Sequence, residues 1–596
     1  MSSSSVPAAT KTAEAAEAAK QAWLLARQRE NAEILSFYAA SLGALVAVFI
    51  IAHWTRILAN RCGWSQSSNF ILTPFVALTR IARRTFVRKI PGFTSLGHAI
   101  LVTAYVALNL LFSFYRTDLS KPTDLAARFG WLAAGNMVLV VFLALKNTPF
   151  AILTAYSYER LNVLHQISGY TTLVYAICHG CVYAAYFIHE GRVNVLREEI
   201  VTAAIILGFA LLFSVLAGMI LRRFNYELFY IIHVALFIVI VVTMGLHRPE
   251  FEKDRVLYAT VVIGALWFLD RLIRVSRLAY NSVNNEASIY ALPEQGTRIV
   301  LKKPLHRARP GKHCYVWLPK IRAFETHPFT IVASDPMEMI INTYSGFTRD
   351  LHKYAAQNPG ASLKVSVEGP YGTLPDPMDY DKVILVAGGS GATFTFGIAA
   401  DMLQRMTEHS KQQIDFIWAV RGHDNLSWFT HHLNHIRNHA HAPRIALKLH
   451  LTKLVPSSPA EPSSTAATRP ASIASKDSSP TPPLSAFTKN TQYPTISGPS
   501  SSVGLRDESD VDEKGIMRQS ESRSGMTSIS DLPIIHGRPD TESEIKAAVR
   551  SLSKDQRVLI AACGPDGLLT VVRNTAASCI SVGGPAVEVH CEQFGW

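Results

Sequence analysis

Charge is scarce in this chain. Only 17% of its 596 residues are Asp, Glu, Lys or Arg, against 48% hydrophobic residues. That balance does not suit an ordinary soluble protein and points to membrane spans. Seven cysteines lie scattered without the spacings of a disulfide framework or a zinc site. A disulfide-stapled secreted scaffold is excluded, and the soluble part belongs in a reducing compartment. The net charge is +13, yet no soluble segment gathers the basic residues, which argues against nucleic acid as a partner. Residues 1–33 are rich in Ser and Ala, mixed in charge and without an apolar core, so they read as a polar tail and not as a cleavable signal.

What is present is a run of hydrophobic segments. Seven reach the roughly 20 residues needed to cross a bilayer, near 34–54, 96–115, 128–146, 161–188, 200–221, 226–247 and 256–273. Arg56, Arg61, Arg80, Arg83, Arg84, Arg88 and Lys89 follow the first span. Lys146 and Arg160 follow the third, Arg222 and Arg223 the fifth, and Arg274 and Arg277 the seventh. With alternating spans these share one face, whereas acids mark the other, at Asp118, Asp124, Glu190, Glu198, Glu199, Glu250, Glu252 and Asp254. By the positive-inside rule the basic face is cytosolic. The N-terminus is then outside and everything after about residue 275 inside.

Histidines are the informative feature of this half. His165 and His179 share the fourth span, and His233 and His247 the sixth, each pair 14 residues apart. At about 100° per residue, 14 steps return to within roughly 40° of the starting direction and climb about 21 Å. Each pair therefore lies on one helix face, at two depths. Both helices run outward, so His165 is level with His233 and His179 with His247. A lone intramembrane histidine usually just packs, as read for His53 and His98. Two pairs with equal spacing make two bis-imidazole sites suited to haem iron. Cys178-His179-Gly180-Cys181 is not the C-x-x-C-H attachment pattern. The haems are thus expected to be non-covalent, with both cysteines as small buried residues and Tyr170, Tyr175 and Tyr183 as packing.

From about residue 285 the texture changes to short alternating runs, the pattern of a small β-barrel. His327-Pro328-Phe329-Thr330 offers His and Thr donors beside an aromatic surface, which suits a flavin ring. Gly346, Phe347, Thr348 and Arg349 offer backbone amides and a cation for a diphosphate. Residues 365–368 form a strand that leads to Gly369-Pro370-Tyr371-Gly372. Residues 382–387 read as a buried parallel strand that runs into Gly388-Gly389-Ser390-Gly391-Ala392-Thr393 and then a helix. Strand, glycine loop and helix present amides to a phosphate, although this is not the strict G-x-G-x-x-G. Arg421 ends the next strand, where a cation meets the 2′-phosphate of NADPH. Residues 456–540 are rich in Ser, Thr and Pro and read as a disordered insertion. Cys563-Gly564-Pro565 follows the strand 557–562 and places Cys563 by the nicotinamide. Trp596 ends the chain as an aromatic able to stack on a flavin.

Together the two histidine pairs, H-P-F-T-I, G-G-S-G-A-T, C-G-P and the terminal E-x-F-x-W make the chain beyond residue 30 resemble the fungal ferric-chelate reductase family, related to the NADPH oxidases. The resemblance implies haem ligation by His165, His179, His233 and His247. It implies FAD contacts at His327, Pro328, Phe329 and Thr330, and NADPH contacts at Gly388, Gly389, Ser390, Gly391, Thr393, Cys563 and Gly564. The implied architecture is a transmembrane haem domain at 34–278, a ferredoxin-reductase-like FAD barrel at 285–378 and an α/β NADPH domain at 380–596, split by the insertion. The implied route runs from NADPH through FAD and two b-type haems to an external ferric or cupric chelate, for iron uptake at the plasma membrane. The alternative is a superoxide-producing NADPH oxidase. Those oxidases space one histidine pair a residue closer, so the equal spacing here favours the reductase.

Overall fold

The computed structural model describes residues 8–62, 73–154, 156, 158–248, 253–453 and 533–593. Glu250, Glu252, Trp596 and most of the 456–540 segment lie outside the described residues. Among the described residues seven helices are long and apolar enough to cross a membrane: Glu14–Ala59, Leu96–Phe114, Pro122–Ala144, Arg160–His189, Glu199–Phe224, Tyr226–Leu246 and Asp254–Ser282.

Three of them depart from the hydropathy reading. The first span is part of one helix, Ala8–Arg61, that starts well inside the expected polar tail. Ala, Lys, Glu and Gln between 8 and 31 are strong helix formers, so the helix needs no apolar face to begin. The third helix starts at Pro122, a residue suited to the first helical position. Hydropathy starts it later because Asp124 lies in its first turn; Arg128 inside it is buried, donating to Asn31 Oδ1 at 2.6 Å and to the Phe112 and Tyr115 carbonyls. The seventh helix runs on to Ser282 and carries Arg274 and Arg277 out of the apolar stretch.

A buried polar knot ties the first three spans. The hydroxyls of Tyr38 and Tyr105 donate to Asn136 Oδ1 at 2.8 and 2.6 Å, and Asn136 donates to Asn109. Where lipid offers no hydrogen bonds, such contacts hold helices together. The cysteines beside His179 are not the small buried residues expected. Cys178 is half-buried and Cys181 exposed, since two residues on from His179 is about 200° around the helix.

After the seventh helix come β1 (Glu286–Leu292), β2 (Gly296–Leu301), β3 (His313–Trp317), β4 (His327–Thr330), β5 (Ala333–Ser334), β6 (Met337–Asn342), β7 (Ser362–Lys364) and β8 (Ser366–Tyr371). They pair as two antiparallel sheets, β5-β6-β2-β1-β7 and β4-β3-β8. Ladder pairing thus gives two sheets around one core of Ile289, Ile299, Val316, Met339 and Val367, where a single barrel was expected. The loop 302–312 carries the chain from β2 in the first sheet to β3 in the second.

Six parallel strands follow: β9 (Lys382–Gly388), β10 (Gln413–Val420), β11 (Ile445–Leu451), β12 (Ile534–His536), β13 (Arg557–Cys563) and β14 (Ala586–Glu592). Their order is β12-β11-β10-β9-β13-β14. β12 lies inside the segment expected to be insertion. It has three residues, too few for periodicity to reveal, and is fixed by pairing with β11 from Leu449 to Leu451. The order reverses between β9 and β13, and in such sheets ligands bind at that point, beyond the strand C-termini.

Candidate functional site: paired histidines, a flavin strand and a nucleotide crevice

The four membrane histidines meet in pairs. His165 and His233 have ring centroids 6.2 Å apart, and His179 and His247 6.1 Å. Two imidazoles that shared one metal ion through bonds of about 2 Å would have ring centres up to about 6 Å apart. Each Nδ1 lies within hydrogen-bond distance of a backbone carbonyl: Val140 at 2.9 Å for His165, Ala126 at 2.8 Å for His179, Ser214 at 3.3 Å for His233 and Ile200 at 3.2 Å for His247. A carbonyl only accepts, so an Nδ1 bonded to one carries the proton and leaves Nε2 its lone pair; at His233 the Ser214 hydroxyl, 2.9 Å from Nδ1, is the nearer partner. Metal-ligating histidines are oriented in this way, and the residues fit haem iron.

The carbonyls come from the third and fifth spans and are themselves 14 residues apart, Ala126 to Val140 and Ile200 to Ser214. A backbone oxygen leaves no trace in side-chain identity, so sequence reading missed this outer ring of contacts. Two residues do mark it: the Ser214 hydroxyl lies 2.9 Å from His233 Nδ1, and Gly130 is bare where a Cβ would stand 2.7 Å from His179 Nδ1. His247 follows the last residue of its helix, Leu246, so it caps the sixth span and does not sit inside it.

The flavin motif occupies β4, the edge strand of its sheet, so one edge of β4 keeps unpaired backbone groups available to a ligand. His327 stacks on Phe347 with centroids 4.3 Å apart, and Phe329 stacks on the same ring at 6.1 Å. Phe347 opens the helix Phe347–Gln357, preceded by Gly346 at φ 74°, a conformation that favours glycine. Thr348 Oγ1 accepts from the Tyr344 amide at 2.8 Å, and Arg349 is exposed beside this N-terminus. Ring surface, free strand edge and helix N-terminus together fit a flavin with its diphosphate. Burial holds the His327 imidazole below its ordinary range, although Glu325 at 3.1 Å opposes the shift. Glu227, at the start of the sixth span, brings its carboxylate into the same group, where Glu227, Glu325 and His327 have ligand atoms within 4.8 Å of one another.

At the switch point the two glycine motifs interlock. A Cβ on Gly391 would meet the Cys563 carbonyl oxygen at 2.3 Å, and one on Gly388 would meet Pro565 Cδ at 2.8 Å. Thr393 Oγ1 donates to the Ser390 carbonyl and pins the turn Gly389–Gly391 to the helix Ala392–Arg405. Two loops without side chains in the way leave backbone amides open to a dinucleotide phosphate. Cys563 is buried, and burial beside Glu592 and Cys591 pushes its thiol upward, so it stays protonated. Arg421 follows the end of β10 and is exposed.

Sequence reading also missed the joints between these parts. Arg274 Nε donates to Glu368 Oε1 at 2.7 Å with both side chains buried. The Lys146 side-chain nitrogen lies 3.2 Å from the Tyr315 ring centre, and burial lowers its pKa well below the usual lysine range. Arg56 and Arg83 both reach Glu588 on β14, at 2.8 and 3.1 Å, and Arg80 donates to the Ser581, Val582 and Gly584 carbonyls. The basic segment read as a topology signal thus meets the nucleotide-binding domain.

Membrane-spanning helices with paired histidines, a flavin-type domain and a doubly wound nucleotide domain define a membrane oxidoreductase. Residues 129–244 match the family described as ferric reductase like transmembrane component, 280–374 the FAD-binding domain and 380–577 the ferric reductase NAD binding domain. In the kind and order of these domains the chain resembles the fungal ferric-chelate reductase family. It is 28% identical over 437 residues to a probable cell surface ferric reductase, kap2, of Aspergillus oryzae, covering 66% of this chain and 58% of that one. It is 28% identical over 355 residues to ferric reductase transmembrane component 3 of Saccharomyces cerevisiae, covering 56% and 49%. It is 26% identical over 388 residues to ferric/cupric reductase transmembrane component 2 of the same yeast, covering 62% and 53%. The chain spans about half the length of the curated relatives it matches.

Proposed function

We propose that this chain is a transmembrane metalloreductase that takes electrons from cytosolic NADPH and delivers them to a ferric or cupric chelate outside the cell, at the plasma membrane, for iron uptake. The observation that carries the reading is the meeting of the histidines in two pairs, 6.2 and 6.1 Å apart, with every Nδ1 turned to a carbonyl. His165 and His233 would hold an inner b-type haem, and His179 and His247 an outer one.

His327, Pro328, Phe329, Thr330, Gly346, Thr348 and Arg349 would hold FAD. Gly388, Gly389, Ser390, Gly391, Thr393, Cys563, Gly564 and Pro565 would hold NADPH, with Arg421 at its 2′-phosphate. When bound, a nicotinamide supplies a hydride, a flavin divides that pair into single electrons, and haem iron carries one at a time. The protein's part is to position and insulate. Nε2 lone pairs face into the bundle, strand edge β4 orients the ring, and the interlocked glycine loops admit the phosphate. Outward transfer of an electron is favoured by an inside-negative potential, by about 2.3 kcal/mol per 100 mV for a full crossing.

Purified protein given NADPH under anaerobic conditions should develop a reduced b-type haem spectrum, and an impermeant ferric chelate should reoxidise it. Absence of a haem spectrum overturns the reading. Chelate reduction that needs oxygen and stops with superoxide dismutase assigns the protein to the oxidases instead.

A further inference from the structure

The N-terminal helix extends outward beyond the first span, and its outer part is docked. Arg27 donates from one terminal nitrogen to Asp124 Oδ1 at 3.0 Å and from the other to the Tyr183 hydroxyl at 3.3 Å. Its side chain is 12% exposed and that of Asp124 13%. Trp23 covers the guanidinium, 4.8 Å from its ring centre. Tyr183 donates to the Thr123 carbonyl, and its ring lies 5.1 Å from the His179 ring. The next residue, Gln28, accepts from Trp131 Nε1 at 2.6 Å, and one turn on from Arg27, Asn31 accepts from Arg128 Nε at 2.6 Å. The segment is therefore a fixed wall of the His179–His247 site. Tyr183, read from sequence as packing, is the contact between that wall and a ring proposed to ligate iron. Arg27 Nε is buried and has no hydrogen-bond partner among the described residues.

We propose that Arg27 and Asp124 are positioning residues for the outer haem that set its reduction potential, with Tyr183 placing the pair against His179. This rests on the haem reading above. Reduction adds one negative charge to the haem. A neighbouring cation favours the reduced state and a neighbouring carboxylate opposes it, and both fields carry further in a site shielded from water. Arg27 thus draws the electron outward, and Asp124 keeps the outer haem oxidisable enough to release it.

The test is a spectroelectrochemical titration of the purified full chain, with the outer haem assigned by its loss in His179→Ala. Arg27→Gln should lower the outer potential, shifting the one-electron equilibrium between the haems about tenfold, about 59 mV. Asp124→Asn, of the same shape, should raise it, and Arg27→Lys should restore most of the Arg27→Gln change. The inner haem should not move. Both variants shifting the same way, both haems shifting together, or no shift in a two-haem protein overturns the proposal. If Arg27→Gln fails to retain haem, the sign of the Asp124→Asn shift decides alone. A wild-type protein without haem instead overturns the reading on which this one rests.

Discussion

Arg274 on the seventh membrane helix and Glu368 on β8 form a charged hydrogen bond at 2.7 Å, with 9% and 0% of their side chains exposed. Burial alone would push the Glu368 carboxyl up, but Arg274 brings it below its usual range. Tyr371 donates to the same carboxylate oxygen, and Asn281 and the Ser366 hydroxyl seal the seam to either side.

Removing one partner of a buried pair strands the other, which costs about 3–5 kcal/mol. Glu368→Ala should therefore lower the thermal midpoint of the purified protein sharply. The double variant Arg274→Met/Glu368→Leu should recover most of the loss, because no lone charge remains. Unfolding curves of the three proteins check this.

Gly130 faces His179 so closely that a methyl group would sit 2.7 Å from Nδ1. Gly130→Ala should displace that ring while leaving His165 and His233 untouched. Pyridine haemochrome analysis is expected to fall from two haems per chain to one, with flavin reduction by NADPH unaffected.

Arg421, exposed just beyond β10, is the residue proposed to read the 2′-phosphate that separates NADPH from NADH. A charge-assisted hydrogen bond contributes about 1.5–3 kcal/mol, so Arg421→Ala should raise KM for NADPH by tenfold or more. KM for NADH should barely change. Steady-state kinetics with both nucleotides and an artificial acceptor check this, and equal effects on the two would remove Arg421 from the site.

His432 is buried, and burial lowers its pKa to about 4 despite Glu338, whose carboxylate lies 3.9 Å away. Between pH 6.5, its ordinary value, and about 4 the unfolded chain binds a proton that the folded one excludes. Stability contributed by this group is therefore complete above pH 6.5 and lost as pH falls through that window. His432→Asn should flatten the fall in unfolding midpoint between pH 7 and 5.

Much of the membrane half was legible because lipid imposes long apolar runs and helix geometry turns a spacing of 14 into a shared face. The nucleotide sheet was legible for a similar reason, since buried parallel strands and glycine loops are local patterns. What was hidden joins distant residues. Arg27 meets Tyr183 across 156 positions, Arg274 meets Glu368 across 94 and Arg83 meets Glu588 across 505. No window of sequence contains both partners. The helix at 8–33 was hidden differently, because hydropathy reads the need for lipid and not the propensity to coil. The carbonyls behind the histidines were invisible because every residue has one.

The arginines between the first two spans do double duty. Charge placed there governs which way a chain is threaded into the bilayer, and Arg56, Arg80 and Arg83 also moor the nucleotide-binding domain at Glu588 and the neighbouring carbonyls. Selection cannot retune one role without disturbing the other. A chain that redistributed these charges to reverse its insertion would at the same time cast off the domain proposed to supply its electrons. Topology and power supply are thereby written in the same few side chains.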